Sequence, residues 1–395
     1  MKGPAPVAVT GLGCCCGAGA DLQECLATLF DDRRLPAAPT LFRTDHAVRY
    51  PVFQAPLAEP EQAELLRTSR LALTAAAEAL ADAGWSVEAL RGLRVGVCLG
   101  TSIGSTISDE GFCRQLRAGS RPPLRPMQRI LDSNPARTLA RKFSCSGPCQ
   151  TIVNACSSGS DAVGIAASWI RAGLCDLVLA GGADELGRVT YNGFSALMIT
   201  DPEPVKPFDK NRKGLNLGEG AGMLVLESAA LQQRQSRRAR RGFVLGYGSS
   251  CDAHHLTAPH PQGLGLKRAL REALQSSALA PAELAFVNAH GTGTPDNDRV
   301  ESRVLHELLP EVPFLSTKGY TGHALGAAGA IEAVFTLACL QQGRIPASAG
   351  FAQPDPELPA APVTATTTFA GIAALSQSLA FGGNNAVLAL GRGEP

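Results

Sequence analysis

A cysteine at residue 156 stands where a run of strand-forming residues meets a run of helix-forming ones, in Thr151-Ile-Val-Asn-Ala-Cys156-Ser-Ser-Gly-Ser-Asp161. A side chain at such a junction is held on a sharp turn at the edge of a sheet. It faces the unpaired amides and the positive dipole end of the following helix, both of which favour thiolate. Thiolate is the nucleophilic form of cysteine. Ala155, Ser157, Ser158 and Gly159 are small and leave room for a thioester on the sulfur. Two histidines sit in similar surroundings. His290 ends the apolar run Ala285–Ala289 and opens His290-Gly-Thr-Gly-Thr-Pro295, while His323 closes Ser316-Thr-Lys318-Gly-Tyr-Thr-Gly-His323 just before an Ala-rich stretch. Histidine can give or take a proton near neutral pH, and glycine beside each one permits close backbone approach to a substrate. His254 and His255 lie in a loop-like segment and read as structural.

The elements that must position these groups alternate along the chain. Strand-like runs cover Val7–Thr10, Arg94–Leu99, Thr151–Ala155, Leu177–Ala180, Met223–Glu227, Ala285–Ala289 and Ala386–Leu390. Helix-like runs cover Glu61–Ala83, Ser160–Ala172, Leu264–Ser276 and Gly326–Gln342, with Gly84, Gly173 and Gly343 as stops. The alternation predicts an α/β class. An Arg-rich stretch, Leu231–Arg241, reads as a solvated connection and divides the chain at about residue 240, after which strand–helix alternation resumes. Two α/β halves, 1–240 and 241–395, follow, although no residue-level repeat stands out.

Composition narrows the functional classes. The chain has 395 residues with 36 Lys or Arg against 35 Asp or Glu, a formal net charge of +1. Near-neutrality excludes a broad surface for nucleic acid or anionic membrane. The start of the chain carries no sustained apolar run, and no uncharged apolar stretch reaches the ~18–20 residues of a membrane helix. The expectation is a reduced, cytoplasmic protein whose 12 cysteines mostly pack as small apolar residues. No metal is expected: there is no C-x-x-C pair, and the consecutive Cys14-Cys15-Cys16 cannot comfortably chelate one ion. Gly11, Gly13 and Gly17 after Val7–Thr10, with Asp31 or Asp32 further on, imitate a dinucleotide-binding turn. The spacing is wrong, and Cys14 to Cys16 place side chains where a phosphate needs bare backbone. A tight strand-to-helix turn is the reading adopted.

The Cys156 segment, His290-Gly-Thr-Gly-Thr294 and Ser316-Thr-Lys318 through His323 together resemble the three signatures of β-ketoacyl-acyl carrier protein synthases, in that family's order. Asn211 to Glu227, Phe381-Gly-Gly-Asn-Asn385 and Val7-Ala-Val-Thr-Gly-Leu-Gly13 are also similar to family segments, so the likeness spans nearly the whole chain. It implies a thiolase-type fold, two similar α/β halves in a layered α-β-α-β-α arrangement, usually dimeric. It implies decarboxylative Claisen condensation: Cys156 accepts an acyl chain, His290 and His323 assist decarboxylation of a malonyl thioester, and the carbanion attacks the acyl-Cys156 carbonyl. The same resemblance assigns Phe381 and the Cys156 amide to an oxyanion hole, with Phe381 also a gate. It counts Lys318, paired with Glu332, among the catalytic residues, with a purely structural ion pair as the other reading; it places Thr292 and Thr294 on the pantetheine arm and puts Ile103 at the bottom of the acyl pocket. Lys206, Lys210 and Arg212 match a docking segment for an acidic carrier protein, with Arg67, Arg70, Arg141 and Lys142 as weaker candidates. No cofactor is expected on the chain itself, because phosphopantetheine is carried by the acyl carrier protein.

Three departures bear on substrate. Asn154 stands where many relatives have Thr or Ser, Ala380 precedes Phe381 where many have Gly, and Gly319-Tyr320 replaces a commoner Ser-Met pair. They tilt the reading from primary fatty-acid synthesis toward a specialised polyketide or aryl polyene-type pathway. A chain-length partner subunit of a ketosynthase heterodimer is the alternative, and a nucleotide-dependent oxidoreductase a remote one. Such partners usually lack the nucleophilic cysteine, so Cys156 with both histidines argues against the first. None of the three motifs suits the second.

Overall fold

A computed structural model describes residues 4–58, 65–104, 110–234 and 240–392. The first half supplies strands β1 (Val7–Cys16), β2 (Val95–Gly100), β3 (Cys149–Ile152), β4 (Leu177–Asp184) and β5 (Gly220–Glu227). Its helices are α1 (Leu22–Phe30), α2 (Arg67–Asp82), α3 (Glu110–Arg117), α4 (Arg125–Asp132), α5 (Pro135–Lys142), α6 (Ser158–Arg171), α7 (Arg188–Ala196) and α8 (Ala229–Arg234). The second half supplies β6 (Gly242–Cys251), β7 (Leu284–Asn288), β8 (Phe314–Leu315), β9 (Arg344–Ile345), β10 (Thr367–Thr368), β11 (Ala373–Ala380) and β12 (Asn384–Arg392). Its helices are α9 (Leu264–Ser277), α10 (Pro295–Leu308), α11 (Lys318–Thr321) and α12 (Ala328–Gln342).

Ten strands form one sheet in the order β3-β2-β4-β5-β1-β6-β12-β11-β7-β8. Counted outward from the central β1/β6 pair, each half presents its first, fifth, fourth, second and third main strand. In each half the first two pairings are antiparallel and the next two parallel. The topology is therefore duplicated. The halves meet along β1 and β6 through only three residue pairs, Val7 to Val244, Ala8 to Phe243 and Val9 to Gly242. Most of what joins them is the layer of α6 and α12, whose apolar faces share one core cluster with strands of both halves. Helices α2 and α5 cover the far side of the first half, and α9 and α10 that of the second. This is the five-layer arrangement the resemblance implied. The stretch Leu325–Gln342, which contains α12, is long and apolar enough to cross a membrane, but 89% of it is buried here between the two halves of the sheet.

The glycine run after Thr10 continues as strand. A register shift between Val9 and Gly11 turns Gly11, Gly13 and Cys15 toward α2, and Cys14 and Cys16 toward the central layer. A methyl group on Gly11 or Gly13 would overlap the carbonyl oxygens of Ala79 and Ala75 in α2. On β6, Gly246 and Gly248 meet the carbonyls of Ala273 and Ala269 in α9 in the same way. These paired glycines are the residue-level repeat that the sequence did not reveal. The strand's continuation to Cys16 corrects the turn reading, and helix backbone fills the space that a pyrophosphate would need. Within Leu231–Arg241, residues 235–239 lie outside the described residues; so do residues 61–64 of the expected Glu61–Ala83 helix.

Substituting Gly13→Ala or Gly248→Ala is expected to cost about 1–3 kcal/mol each, because neither helix can move back without opening its core. Gly111→Ala, exposed on α3 with open space around it, should be neutral or stabilising by up to about 1 kcal/mol. Urea unfolding of the three variants checks the contrast. Equal effects would remove the close-packing argument.

Candidate active site

Cys156 sits two residues before α6, and the turn is as sharp as the sequence suggested: Ala155, just ahead of it, has a left-handed φ of 48°. Such a conformation in a residue with a Cβ is strained and persists where surrounding structure imposes it. Here Ser157 Oγ and Ser158 Oγ donate to the carbonyls of Asn154 (2.9 Å) and Ala155 (2.6 Å). Asn154 in turn donates to Asp161 at 2.6 Å, and Tyr247 of β6 donates to the same carboxylate at 2.6 Å. Thus Asn154, one of the departures, clamps the nucleophile turn to α6.

The thiol is 6% exposed. Burial pushes it up to about 12, opposed by the Lys318 charge and by the Phe381 backbone N–H that points at it. The sequence reading expected thiolate. Here the thiol is the resting form and the Phe381 N–H is the donor aimed at it, while the amides of Ser157 and Ser158 are already bonded to the carbonyls of Asn154 and Ala155.

His290 and His323 line the same cavity as this cysteine and meet edge to face, with ring centroids 5.1 Å apart at 85°, both buried. Lys318, 1% exposed, spends its three N–H bonds on fixed partners. It donates to His290 Nδ1 at 3.1 Å, to the His290 carbonyl at 2.6 Å, and to Glu332 Oε1. A lysine ammonium has no lone pair, so His290 Nδ1 accepts and its proton resides on Nε2. Burial, the Lys318 charge and His323 hold His290 well below the usual 6.5; burial and Lys318 do the same to His323. Both rings are therefore neutral near pH 7. His323 Nδ1 is buried and has no hydrogen-bond partner among the described residues.

One cavity of about 180 Å³ is lined by Cys156, His290, His323, Phe381, Thr292 and Thr294. Phe194, Leu197, Ile199 and Leu215 make one side apolar, while Asp252, Asp296, Asn384 and Asn385 make another polar. Thr292 and Thr294 share a hydrogen bond of 2.8 Å. Phe381 stacks on Phe194 with centroids 5.5 Å apart, followed by Gly382 and Gly383 at φ 83° and 80°. Ile103 is not in this cavity. It packs near Leu186 and Leu325 and faces a second cavity shared with Ile130, Leu131 and Val153.

Three carboxylates that the sequence reading missed hold the site in place. Glu301 of α10 accepts from the amides of His290 (2.7 Å) and Gly291 (2.6 Å). Asp298, one turn earlier, accepts from the amides of Gly293 (3.2 Å) and Phe208 (2.6 Å). Asp184, at the end of β4, gathers the amides of Ser102 and Gly326 at 2.7 and 2.8 Å, tying the two halves together. The spacing Asp298-x-x-Glu301 behind the His290 loop was the available signal.

The docking expectations need correction. Arg212 is buried at 8%, bonded to Asp355 at 2.5 Å and within 3.9 Å of Asp298, so it is an internal strut. Arg67 is likewise buried against Glu219. Lys206 is half-buried and paired with Glu203, which leaves Lys210 as the exposed member of the three.

Comparison with known proteins places this site in context. The family model for the β-ketoacyl synthase N-terminal domain matches residues 5–232, and that for the C-terminal domain matches residues 241–352. A 3-oxoacyl-[acyl-carrier-protein] synthase 2 of Synechocystis sp. is 34% identical over 97% of both chains. Among solved structures, the ishigamide ketosynthase/chain length factor superposes with a TM-score of 0.92 at 31% identity, covering 98% of this chain and 99% of that one. A type II polyketide acyl-carrier protein complex with its ketosynthase gives 0.88 at 26% identity, over 98% and 99% of the chains.

Histidine NMR checks the electrostatics. Neither His290 nor His323 should titrate near pH 6.5. In Lys318→Gln, losing the ammonium that lowers both, the two transitions should move up in pH, His290 also losing its fixed tautomer. Unchanged titrations would remove Lys318 from control of the rings.

Proposed function

Because the chain belongs to the β-ketoacyl synthase family, we propose that Cys156, His290 and His323 divide its reaction between them, Cys156 accepting the acyl chain and the histidines generating the carbon nucleophile. The enzyme is a C–C bond-forming acyltransferase that condenses an acyl group with a malonyl group on acyl carrier protein, giving 3-oxoacyl-acyl carrier protein and CO₂ in fatty acid or polyketide synthesis. The observation that carries the division of labour is that all three side chains line one small cavity, with both rings neutral.

In the first half-reaction Cys156 Sγ attacks the thioester carbonyl presented on the carrier's phosphopantetheine arm. The oxyanion forms beside the Phe381 and Cys156 amides, donors that need no reorganisation. Collapse breaks the carrier's C–S bond, and the proton that Cys156 gives up leaves on the carrier thiol. Sulfur suits both directions of this exchange, as nucleophile and as leaving group. In the second, the malonyl thioester oxygen accepts from His290 Nε2–H and from His323. The C–C bond to the carboxylate breaks, CO₂ departs, and the electron pair rests on an enolate held by neutral donors. The enolate carbon attacks acyl-Cys156, and the C–S bond breaks to release the Cys156 thiolate, which takes one proton from water to restore the thiol. Lys318 and Glu332 are positioning residues here: Lys318 fixes the His290 tautomer without touching substrate. Thr292 and Thr294 stand where a pantetheine arm would pass, and Phe381, stacked on Phe194, is the natural gate.

Acyl carrier protein and a second ketosynthase-like chain are the partners. Strand β3 is an open sheet edge, with exposed Val153 beside it and the Ile103 cavity next to it. A chain added there would close that cavity, which is how Ile103 would come to limit an acyl chain. The intact triad favours a catalytic over a chain-length subunit. The repeated strand order supports 1–240 and 241–395 as the two halves, and 12 free cysteines suit the cytoplasm.

Cys156→Ala should lose acylation and condensation while keeping malonyl decarboxylation, which needs no thiol. His290→Ala and His323→Ala should keep acylation, read by intact mass, and lose condensation by about 10²–10⁴-fold. Unaltered condensation in either histidine variant would overturn that ring's role.

A further inference from the structure

The three consecutive cysteines of β1 do not act together. Cys15 turns toward α2, where its thiol lies 3.6 Å from the Leu71 carbonyl. Cys14 and Cys16 point the other way, and Cys25 of α1 joins them. The sulfurs of Cys14, Cys16 and Cys25 lie within 4.8 Å of one another, with 3.6 Å between Cys16 Sγ and Cys25 Sγ. All three residues are fully buried. None lines the Cys156 cavity, and the condensation does not use them. The expectation that this run could not hold an ion rested on consecutive positions. Strand alternation, with a third sulfur from α1, removes that objection.

We propose that Cys14, Cys16 and Cys25 form a buried three-sulfur site for a soft monovalent cation, cuprous copper. Sulfurs bound to one ion at about 2.3 Å in a trigonal plane stand about 4 Å apart, so separations of 3.6 Å to at most 4.8 Å need adjustments of less than about 1 Å. Thiolate donors select soft ions. No His, Asp or Glu joins the group among the described residues, and its surroundings are the apolar core of α1, β1 and α12. A four-coordinate zinc ion would lack its last ligand there. Each sulfur that ligates does so as thiolate, so Cu(I) uptake releases thiol protons to solvent and its occupancy rises with pH. The bound ion would brace a corner that reaches the catalytic centre. Cys16 pairs with Gly220 of β5, and the amide of nearby Gly218 donates to the His323 carbonyl at 3.0 Å.

The test uses the full chain with the exposed Cys113, Cys149 and Cys251 changed to Ser, kept reduced and oxygen-free. Cu(I) is titrated against a chromogenic chelator, both on the native protein and during refolding, since a buried site fills most readily as the chain folds. One Cu(I) per chain is expected, with three sulfur neighbours in X-ray absorption and a raised Tm. Cys16→Ala and Cys25→Ala should lose the ion, while Cys15→Ala should keep it; Cys156 acylation reports that each variant is folded. No Cu(I) retained by either route, equal retention in Cys16→Ala and Cys25→Ala, or a signal abolished by Cys156→Ala would each overturn the proposal. So would a Cys16–Cys25 disulfide found in the oxygen-free protein.

Discussion

The close crossing of α6 and α12 is the contact on which the catalytic arrangement rests. A Cβ on Gly159 would lie 2.8 Å from both the Ala330 nitrogen and the Gly326 oxygen, and one on Gly329 would collide with Ser160. Bare backbone at these positions lets the two helices start side by side in the centre of the molecule. Cys156 lies two residues before one start and His323 five residues before the other. The strands must make room as well: Gly182 and Gly222 pack against Gly326 and Ala330 with the same absence of side chain. Enlarging any of these positions would separate a nucleophile from its partner imidazole before disturbing either side chain.

Electrostatics is layered around that crossing. Lys318 is saturated by fixed acceptors, so its effect on the chemistry passes through the tautomer and charge of His290. Glu301, Asp298 and Asp184 accept from backbone amides, converting buried carboxylates into anchors for the loops that carry His290, Thr292 and the start of α12. A buried carboxylate that accepts several N–H bonds fixes backbone far more rigidly than apolar packing does. Here those carboxylates hold the backbone of the segments that line the Cys156 cavity.

The three side chains proposed to divide the reaction were legible in the sequence because each sits in a local signature whose spacing is set by one turn or one helix start. The alternation of strands and helices was equally plain; the structure lengthened four of the seven expected strand runs, shifted Arg94–Leu99 and Ala285–Ala289 by one residue, and ended Thr151–Ala155 early, at Ile152. What escaped was long-range. Asp184 reaches 142 residues along the chain to Gly326, and no local pattern marks such a bond. Arg212 read as a surface charge because its neighbours are polar, whereas its partners Asp298 and Asp355 come from distant segments. Gly11 and Gly13 imitated a phosphate turn because glycine signals close approach without naming what approaches.

The narrow seam between β1 and β6 bears on how the chain is made. A nascent chain that has reached Glu227 possesses all five strands of its first half, yet α6 still lacks its cover. That cover is α12, more than a hundred residues later, together with β6 and β12. The first half therefore emerges with its central apolar face open to water, and three residue pairs with β6 close too little surface to protect it. Productive folding must wait for the last third of the polypeptide. The interval in which this face is exposed is the stage of synthesis at which aggregation competes with folding.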